Sequence, residues 1–398
     1  MQAGLIKEIT VFTLQELGWC EFFRTPGTHE RPYFESSEED FHPGLIPARV
    51  AEENRGLYRL FCEPGEFLAE LSGKLRHAAG SRAELPVVGD WVLAQLRLRE
   101  NRATIHRVLG RKGKFSRKTA GRKTEEQVIA ANIDVLFLVS SLNRDFNPRR
   151  MERYLTLAWD SGARPVIVLN KADLCEKPEA FRSDAEAASM GARVVLTSAT
   201  RGDGLEELRA ILRGVGADSG IGCPAPGEQS CVTAALLGSS GVGKSSLINA
   251  LRGDVFRPGG RLLTQAVREA DDRGRHTTTS RELLLVPGGG VVIDTPGMRE
   301  LALWGAADSI GRTFGDIQEL AASCKFRDCC HQSEPGCAVR AAVEAKTLDA
   351  ERVESFHKLE REEQFLEAKQ DAALRAQRKK ELRQMMKSVK RFYRQRGR

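Results

Sequence analysis

The string GSSGVGKS, Gly238 to Ser245, constrains this chain more than any other stretch. It satisfies G-x-x-x-x-G-K-[ST] in full, follows the apolar run VTAALL and leads into SSLINALRG, which reads as a helix opening. A strand, a glycine-rich turn and a helix start in that order form a phosphate cradle. The glycines let backbone N–H groups close around phosphate oxygens, and the helix N-terminus adds its dipole. The expected contacts come from Gly238, Ser239, Ser240, Gly241, Val242, Gly243, Lys244, Ser245 and Ser246. Lys244 is placed to reach the β- and γ-phosphates, and the Ser245 hydroxyl to ligate Mg²⁺.

Such a loop needs a buried parallel sheet around it. From about Ile129 the chain supplies one. The apolar runs DVLFLVSSL, PVIVLN, RVVLTSA, ALLGSSG and VVIDTPG alternate with helical stretches such as RRMERYLTLAWDSG and LEELRAILRGV. VVIDTPG ends in Asp294, placed to hold Mg²⁺ through water, and Gly297, whose N–H is placed at the γ-phosphate. GRHTTTSREL lies between loop and strand, and Thr278 is the favoured residue of its three threonines to complete the metal shell.

A second signal lies upstream. PVIVLNKADL carries Asn170, Lys171 and Asp173 at a strand end. A carboxylate at Asp173 accepts from both N1–H and the N2 amino group of guanine, a pair that adenine lacks. RVVLTSA then ends in Ser198 and Ala199, where a second loop would donate backbone N–H to the guanine O6. The order is therefore base corner, second base loop, phosphate loop, switch one, switch two. A parallel sheet tolerates such a cut when the old termini lie close together. The expected fold class is an α/β circularly permuted P-loop GTPase domain.

Ile46 to about Leu109 reads differently. Short alternating runs (YRLFCE, EFLAELSG, DWVLAQLRL, ATIHRVL) separated by Gly, Pro and Asn suggest an all-β, OB-like barrel, a fold that often binds oligonucleotides. Arg107 to Lys123 then carries eight basic residues and no acid, together with Phe115, and is expected to reach phosphates and stack a base. From Gln370 to Arg398, eleven Lys or Arg face only Asp371 and Glu381, a local charge of +9 on a chain whose total is +7. A basic end on a near-neutral body suggests a polyanionic partner. The N-terminus has no signal-peptide pattern and the chain no long apolar run, so a soluble cytoplasmic protein with no membrane partner is expected.

Of nine cysteines, four (Cys324, Cys329, Cys330, Cys337) crowd around His331. Cys324-x₄-Cys329-x-His331-x₅-Cys337 offers three thiolates and an imidazole, the donor set of a closed structural zinc site, with Cys330 as a fifth candidate.

These strings, in this order, resemble the family of the ribosome small-subunit-dependent GTPase A, RsgA. The likeness extends over LPVVGDWV, EEQVIAANIDVLFLVSSLNRDFNPRRMERYL, NKADL, TSA, GSSGVGKSSLINAL, GRHTTT, DTPGMREL and CKFRDCCHQSEPGCAV. It implies a division into residues 1–44 (N-terminal extension), 45–115 (OB-like RNA-binding barrel), 116–302 (permuted GTPase domain) and 303–398 (zinc-binding, helical domain with a basic tail). It also implies zinc on Cys324, Cys329, His331 and Cys337, leaving Cys330 out, and magnesium with GTP. The implied partners are the small ribosomal subunit and its rRNA, with other assembly factors as further candidates, and the implied state is a monomer. The implied activity is GTP hydrolysis that accompanies release from the subunit. Met298 occupies the place where other GTPases carry a water-orienting Gln, so slow unaided turnover is expected, with His276 the candidate replacement. Met298 also keeps open a nucleotide-gated RNA-binding regulator without useful hydrolysis, and an RNA-directed ATPase is a second rival.

Overall fold

The computed structural model describes residues 12–23, 44–118, 126–142, 146–215, 231–253, 281–294, 307–365 and 368. Two compact units are present: Met1–Arg117 with Gln127–Leu301, and Lys118–Glu126 with Ala302–Arg398.

In the first unit, β1 (Leu45–Asn54), β2 (Leu57–Cys62), β3 (Gly65–Leu71), β4 (Trp91–Arg97) and β5 (Arg102–Val108) pair in the order β1–β2–β3–β5–β4, and β4 returns to β1. The barrel is closed, which removes its free edges. Helix α1 (Gly73–Ala78) bridges β3 and β4, its N-terminus capped by Ser72 Oγ, which accepts from the Leu75 N–H at 3.2 Å. Alternate residues point inward, so Val50, Leu60, Phe67, Val92 and Ile105 fill the interior. This is the OB-like barrel expected from the short alternating runs. A two-stranded sheet, β6 (Lys114–Lys118) with β7 (Glu126–Ala131), follows it.

The larger sheet is built from β8 (Val135–Ser141), β9 (Arg164–Asn170), β10 (Arg193–Leu196), β11 (Thr233–Gly238), β12 (Glu282–Leu285) and β13 (Val291–Asp294), in the order β10–β9–β8–β11–β13–β12. All neighbours are parallel except β12 with β13. Every residue of β8 is buried, as expected for a parallel strand with both faces covered. The helices of this region are α2 (Pro148–Asp160), α3 (Pro178–Ala188), α4 (Leu205–Leu212) and α5 (Lys244–Arg252). The strand that feeds the phosphate loop, β11, is central although it is fourth of the six in the chain. Counting from β11 and wrapping from β13 back to β8 restores a sheet whose phosphate-loop strand comes first, which is the circular permutation expected from the motif order.

Residues 12–23, which carry few sequence signals, pack into this unit. The buried guanidinium of Arg49 donates to the carbonyls of Leu17, Gly89 (3.4 Å) and Asn132 (3.3 Å) and lies over the Trp91 ring. It thereby ties the N-terminal segment, the barrel and the approach to β8 together. Burial pulls its pKa down to about 10. The basic segment corrects an expectation. Phe115 is only 3% exposed, so it is not a free stacking platform. Arg111 grips buried Asp90 through two hydrogen bonds (2.8 and 2.7 Å), and Lys112 pairs with Asp134 at 3.1 Å.

The second unit contains α6 (Ala307–Thr313), α7 (Gly315–Ala321), α8 (Ala338–Glu344) and helical residues 350–365. Arg352 clamps Asp316 (2.7 and 2.8 Å), donates to the Thr313 carbonyl and covers the Phe314 ring. The basic stretch from Gln370 lies outside the described residues. Among the described residues, no helix is long and apolar enough to cross a membrane.

Candidate active site and metal centre

The base corner and the phosphate loop touch directly. Asn170 ends β9 with 1% exposure, and its Nδ2 donates to the Val242 carbonyl inside the phosphate loop at 2.8 Å. Its Oδ1 accepts from Thr197 Oγ1 (3.2 Å) and, more loosely, from the Ala199 N–H (3.4 Å). One side chain therefore links the first base loop, the second base loop and the phosphate loop. Gly243 makes the approach possible. It sits at φ +99°, and a Cβ there would overlap Asn170 Nδ2. Gly238 is excluded from change for a similar reason, because a Cβ there would overlap the Val139 carbonyl of β8.

The remaining base-corner residues are set by local geometry. Lys171 takes a left-handed conformation (φ 63°), which turns the chain into the short 3₁₀ segment Ala172–Leu174. Asp173 accepts from Thr200 Oγ1 at 3.3 Å, and the Ser198 hydroxyl, foremost, and that of Thr200 hold its carboxyl below the ordinary range. Ser198 is fully buried and its N–H is engaged by the Asp203 carbonyl at 3.0 Å. Asp173 is thus ionised and oriented, the state that a pair of guanine N–H donors requires.

In the phosphate loop, Lys244 Nζ lies on the carbonyls of Gly238 (2.8 Å) and Ser239 (2.6 Å). Helix α5 begins at Lys244 behind Gly243, with no side-chain cap on its first turn, so its N–H groups remain for an anion. Ser245, half-buried, stands in that first turn, and buried Asp294 ends β13. Asp294 is 8% exposed, and its Oδ2 has no hydrogen-bond partner among the described residues. Burial, with Lys244 opposing and Glu282 adding, pushes its pKa up to about 6. A buried carboxylate oxygen without a partner, near the Lys244 charge, suits a hard divalent cation with its waters. His276, Thr278, Gly297 and Met298 lie outside the described residues.

The cysteine cluster forms a four-donor set. The donor atoms of Cys324, Cys329, His331 and Cys337 all lie within 4.8 Å of one another. Cys324 Sγ is 3.9 Å from Cys337 Sγ, and His331 Nδ1 is 3.6 Å and 3.4 Å from those two sulfurs. A tetrahedral zinc would set these separations at roughly 3.7 Å for S···S and about 3.5 Å for S···N. The Ala338 N–H (3.4 Å) and the Arg340 N–H (3.5 Å) donate to the Cys324 and Cys337 sulfurs, which suits thiolates. Cys330 is exposed, with its thiol turned to the Asp328 carbonyl. Glu334 closes the turn by accepting from the N–H groups of Cys330, Gln332 and Ser333.

Two contacts had no sequence signal. Thr200 steadies Asp173 from just beyond the TSA string. Arg150, in the first turn of α2, donates to Ser239 Oγ of the phosphate loop.

A phosphate loop on a central parallel strand, joined through one asparagine to an N-K-x-D corner that precedes it, defines a circularly permuted GTPase. The sequence pattern of the RsgA GTPase family matches residues 108–222 and 228–304. The chain is 44% identical to the Small ribosomal subunit biogenesis GTPase RsgA of Opitutus terrae, over 91% of this chain and 93% of the relative. It is 39% identical to the protein of that name from Syntrophotalea carbinolica, over 96% of this chain and 99% of the relative. Among solved structures, YjeQ from Thermotoga maritima is similar with a TM-score of 0.54 and 26% identity, covering 79% of this chain and 97% of that one. YloQ, described as a circularly permuted GTPase, matches with a TM-score of 0.53 and 23% identity, over 84% of this chain and 98% of that one, a likeness of fold. The chain belongs to the RsgA GTPase family. It is a GTP-hydrolysing enzyme.

Proposed function

We propose that this GTPase binds the small ribosomal subunit and its rRNA late in the subunit's maturation, and that GTP hydrolysis releases it. The observation that supports the nucleotide half of this reading is the Asn170–Val242 hydrogen bond, which joins the N-K-x-D loop to the phosphate loop. There Asp173, held by the Ser198 hydroxyl, selects guanine and Lys171 covers the base, with Ala199 at its O6 edge. The loop from Gly238 to Ser246 cradles the phosphates. Ser245, Thr278 and Asp294 would hold magnesium, which would supply charge neutralisation for the phosphates when bound. Gly297 contacts the γ-phosphate, and His276 orients the attacking water in place of the missing Gln. The ribosomal half is supported by the names of the relatives, by the OB-like barrel, and by the basic end of the chain. The protein works as a cytoplasmic monomer, alongside other assembly factors on the same subunit.

Zinc is the metal that best suits a closed Cys₃His set with these separations, and its role is to fold the second unit. The four-part division at residues 44, 115 and 302 gives the barrel and the zinc unit to RNA and the central domain to GTP.

The test is multiple-turnover phosphate release with and without small subunits, paired with subunit binding in the GTP-analogue and GDP states. The expected result is slow release alone, strong stimulation by subunits, and tight binding only in the GTP-analogue state. Equal binding in both states would overturn the release mechanism. Absence of stimulated turnover would favour a nucleotide-gated regulator, the reading that Met298 keeps open.

A further inference from the structure

Arg150 belongs to no nucleotide-binding motif, yet the fold delivers it to the phosphate loop. It lies in the first turn of α2, where Asn147 caps the helix by accepting from the Arg150 N–H at 3.1 Å. Helix α2 buries Met151, Tyr154, Leu155, Leu157 and Ala158, so Arg150 projects from a fixed element. Its neighbour Arg149 pairs with Glu152 at 2.5 Å on the helix itself. Arg150 instead spans 89 positions of sequence and donates through Nη1 to Ser239 Oγ. The carbonyl of that same Ser239 accepts from Lys244 Nζ at 2.6 Å. Two cations from two elements therefore meet on one residue of the loop.

The hydroxyl is the weaker of two available partners. It is neutral, whereas a phosphate oxygen is charged, and a guanidinium bonds phosphate with charge-assisted hydrogen bonds about twice as strong as neutral ones. A magnesium-bound triphosphate brings more negative charge than Lys244 alone offsets, and the charge of phosphoryl transfer is offset in other GTPases by an arginine supplied in cis or in trans. We propose that Arg150 is such a residue supplied in cis: on GTP binding its guanidinium exchanges Ser239 Oγ for the terminal phosphate and neutralises charge there during hydrolysis. This rests on reading Gly238 to Ser245 as the GTP phosphate loop, and on α2 holding Arg150 within reach.

The test compares Arg150→Ala, Arg150→Lys and Lys244→Ala in the full-length, zinc-loaded protein. Affinities for GDP and a non-hydrolysable GTP analogue are measured, along with single-turnover hydrolysis on small subunits and capture of GDP with aluminium fluoride. Arg150→Ala should weaken the GTP analogue roughly 10- to 100-fold, the worth of a charge-assisted contact, and leave GDP within about twofold. It should also lower the hydrolysis rate and abolish the aluminium fluoride complex. Arg150→Lys should recover part of the analogue affinity. The proposal is overturned if Arg150→Ala weakens GDP and analogue equally, because Arg150 then only braces the loop. It is equally overturned if neither affinity nor rate changes. Lys244→Ala binding both nucleotides normally would instead refute the phosphate-loop reading itself.

Discussion

Replacing Asp294 with Asn should make the nucleotide-free protein more stable while removing its response to Mg–GTP. The carboxylate is 8% exposed and one of its oxygens has no partner among the described residues. Burial raises its pKa from 3.8 to about 6, with Lys244 opposing and Glu282 assisting. At about 1.4 kcal/mol per pKa unit, the charged form is disfavoured in the folded protein by about 3 kcal/mol once pH exceeds both values. The folded carboxyl keeps its proton up to about pH 6, whereas the unfolded one loses it near 3.8. The folded state therefore holds the extra proton between those values, and stability falls as pH rises through that window and stays low above it. Asn escapes this fall, but its buried amide leaves hydrogen bonds unmade at about 1–2 kcal/mol. The net gain is about 1–2 kcal/mol above pH 7, vanishes near about pH 5 and turns into a small loss below it. The assay is thermal unfolding without magnesium or nucleotide, following the transition that Mg–GTP raises in the parent. Asp294→Asn should raise that midpoint by a few degrees at pH 7.5 and not at pH 4.5, and Mg–GTP should no longer shift it. A variant less stable than the parent at pH 7.5, or a gap independent of pH, would refute the argument.

The other predictions concern recognition, the buried arginine and the metal. Asp173→Asn should lower GTP affinity by about 2–4 kcal/mol and narrow the preference over ATP in a competition assay, because the amide cannot accept both guanine donors. Gly243→Ala should remove nucleotide binding while far-UV circular dichroism stays unchanged, since its Cβ displaces Asn170 from Val242. Arg49→Met strips the buried carbonyls of Leu17, Gly89 and Asn132 of a donor and should destabilise the first unit by about 3–5 kcal/mol in urea titration. Cys330→Ser should retain one zinc per chain by elemental analysis, and Cys337→Ser should lose it together with helicity of the second unit.

What was legible in the sequence is what the ligand itself dictates. A triphosphate requires glycines, a lysine and a hydroxyl at fixed spacing, and guanine requires a carboxylate at a strand end, so both loops announce themselves locally. The permutation follows from their order alone. Long-range pairing was not legible. Arg111 and Lys112 read as free charge in a basic run, but Asp90 and Asp134, 21 and 22 positions away, consume them, and Phe115 folds inward. Residues 12–23 are anchored by Phe12 on Phe61, by buried Leu17, by Trp19 and Phe23 on Trp91 and by the Leu17 carbonyl given to Arg49, contacts too irregularly spaced to form a periodic pattern. Arg150 looks like an ordinary solvated residue at a helix start until Ser239 is placed beside it.

The barrel also solves a problem that the permuted domain poses. Strand β12 ends the GTPase sheet, and an uncovered sheet edge invites pairing with other chains. Here β1 pairs with it, joining barrel and GTPase sheet into one eleven-stranded sheet. The join sets Glu52 directly opposite Glu282, a like-charge pair that would weaken it. Arg59 on β2 offsets the repulsion by binding Glu282 and Glu52 together, the latter at 3.1 Å, with Glu66 at 3.7 Å. Glu282 is also the residue opposite Asp294 on the other side of β12, and its charge contributes to the raised pKa there. Since β12 begins just after Thr277, Thr278 and Thr279 in sequence, the strand that receives the barrel is the one that the switch threonines lead into. Permutation leaves switch two running toward the zinc unit in the chain, so the two switch strands are attached to the two parts assigned to RNA, one by pairing and the other by sequence.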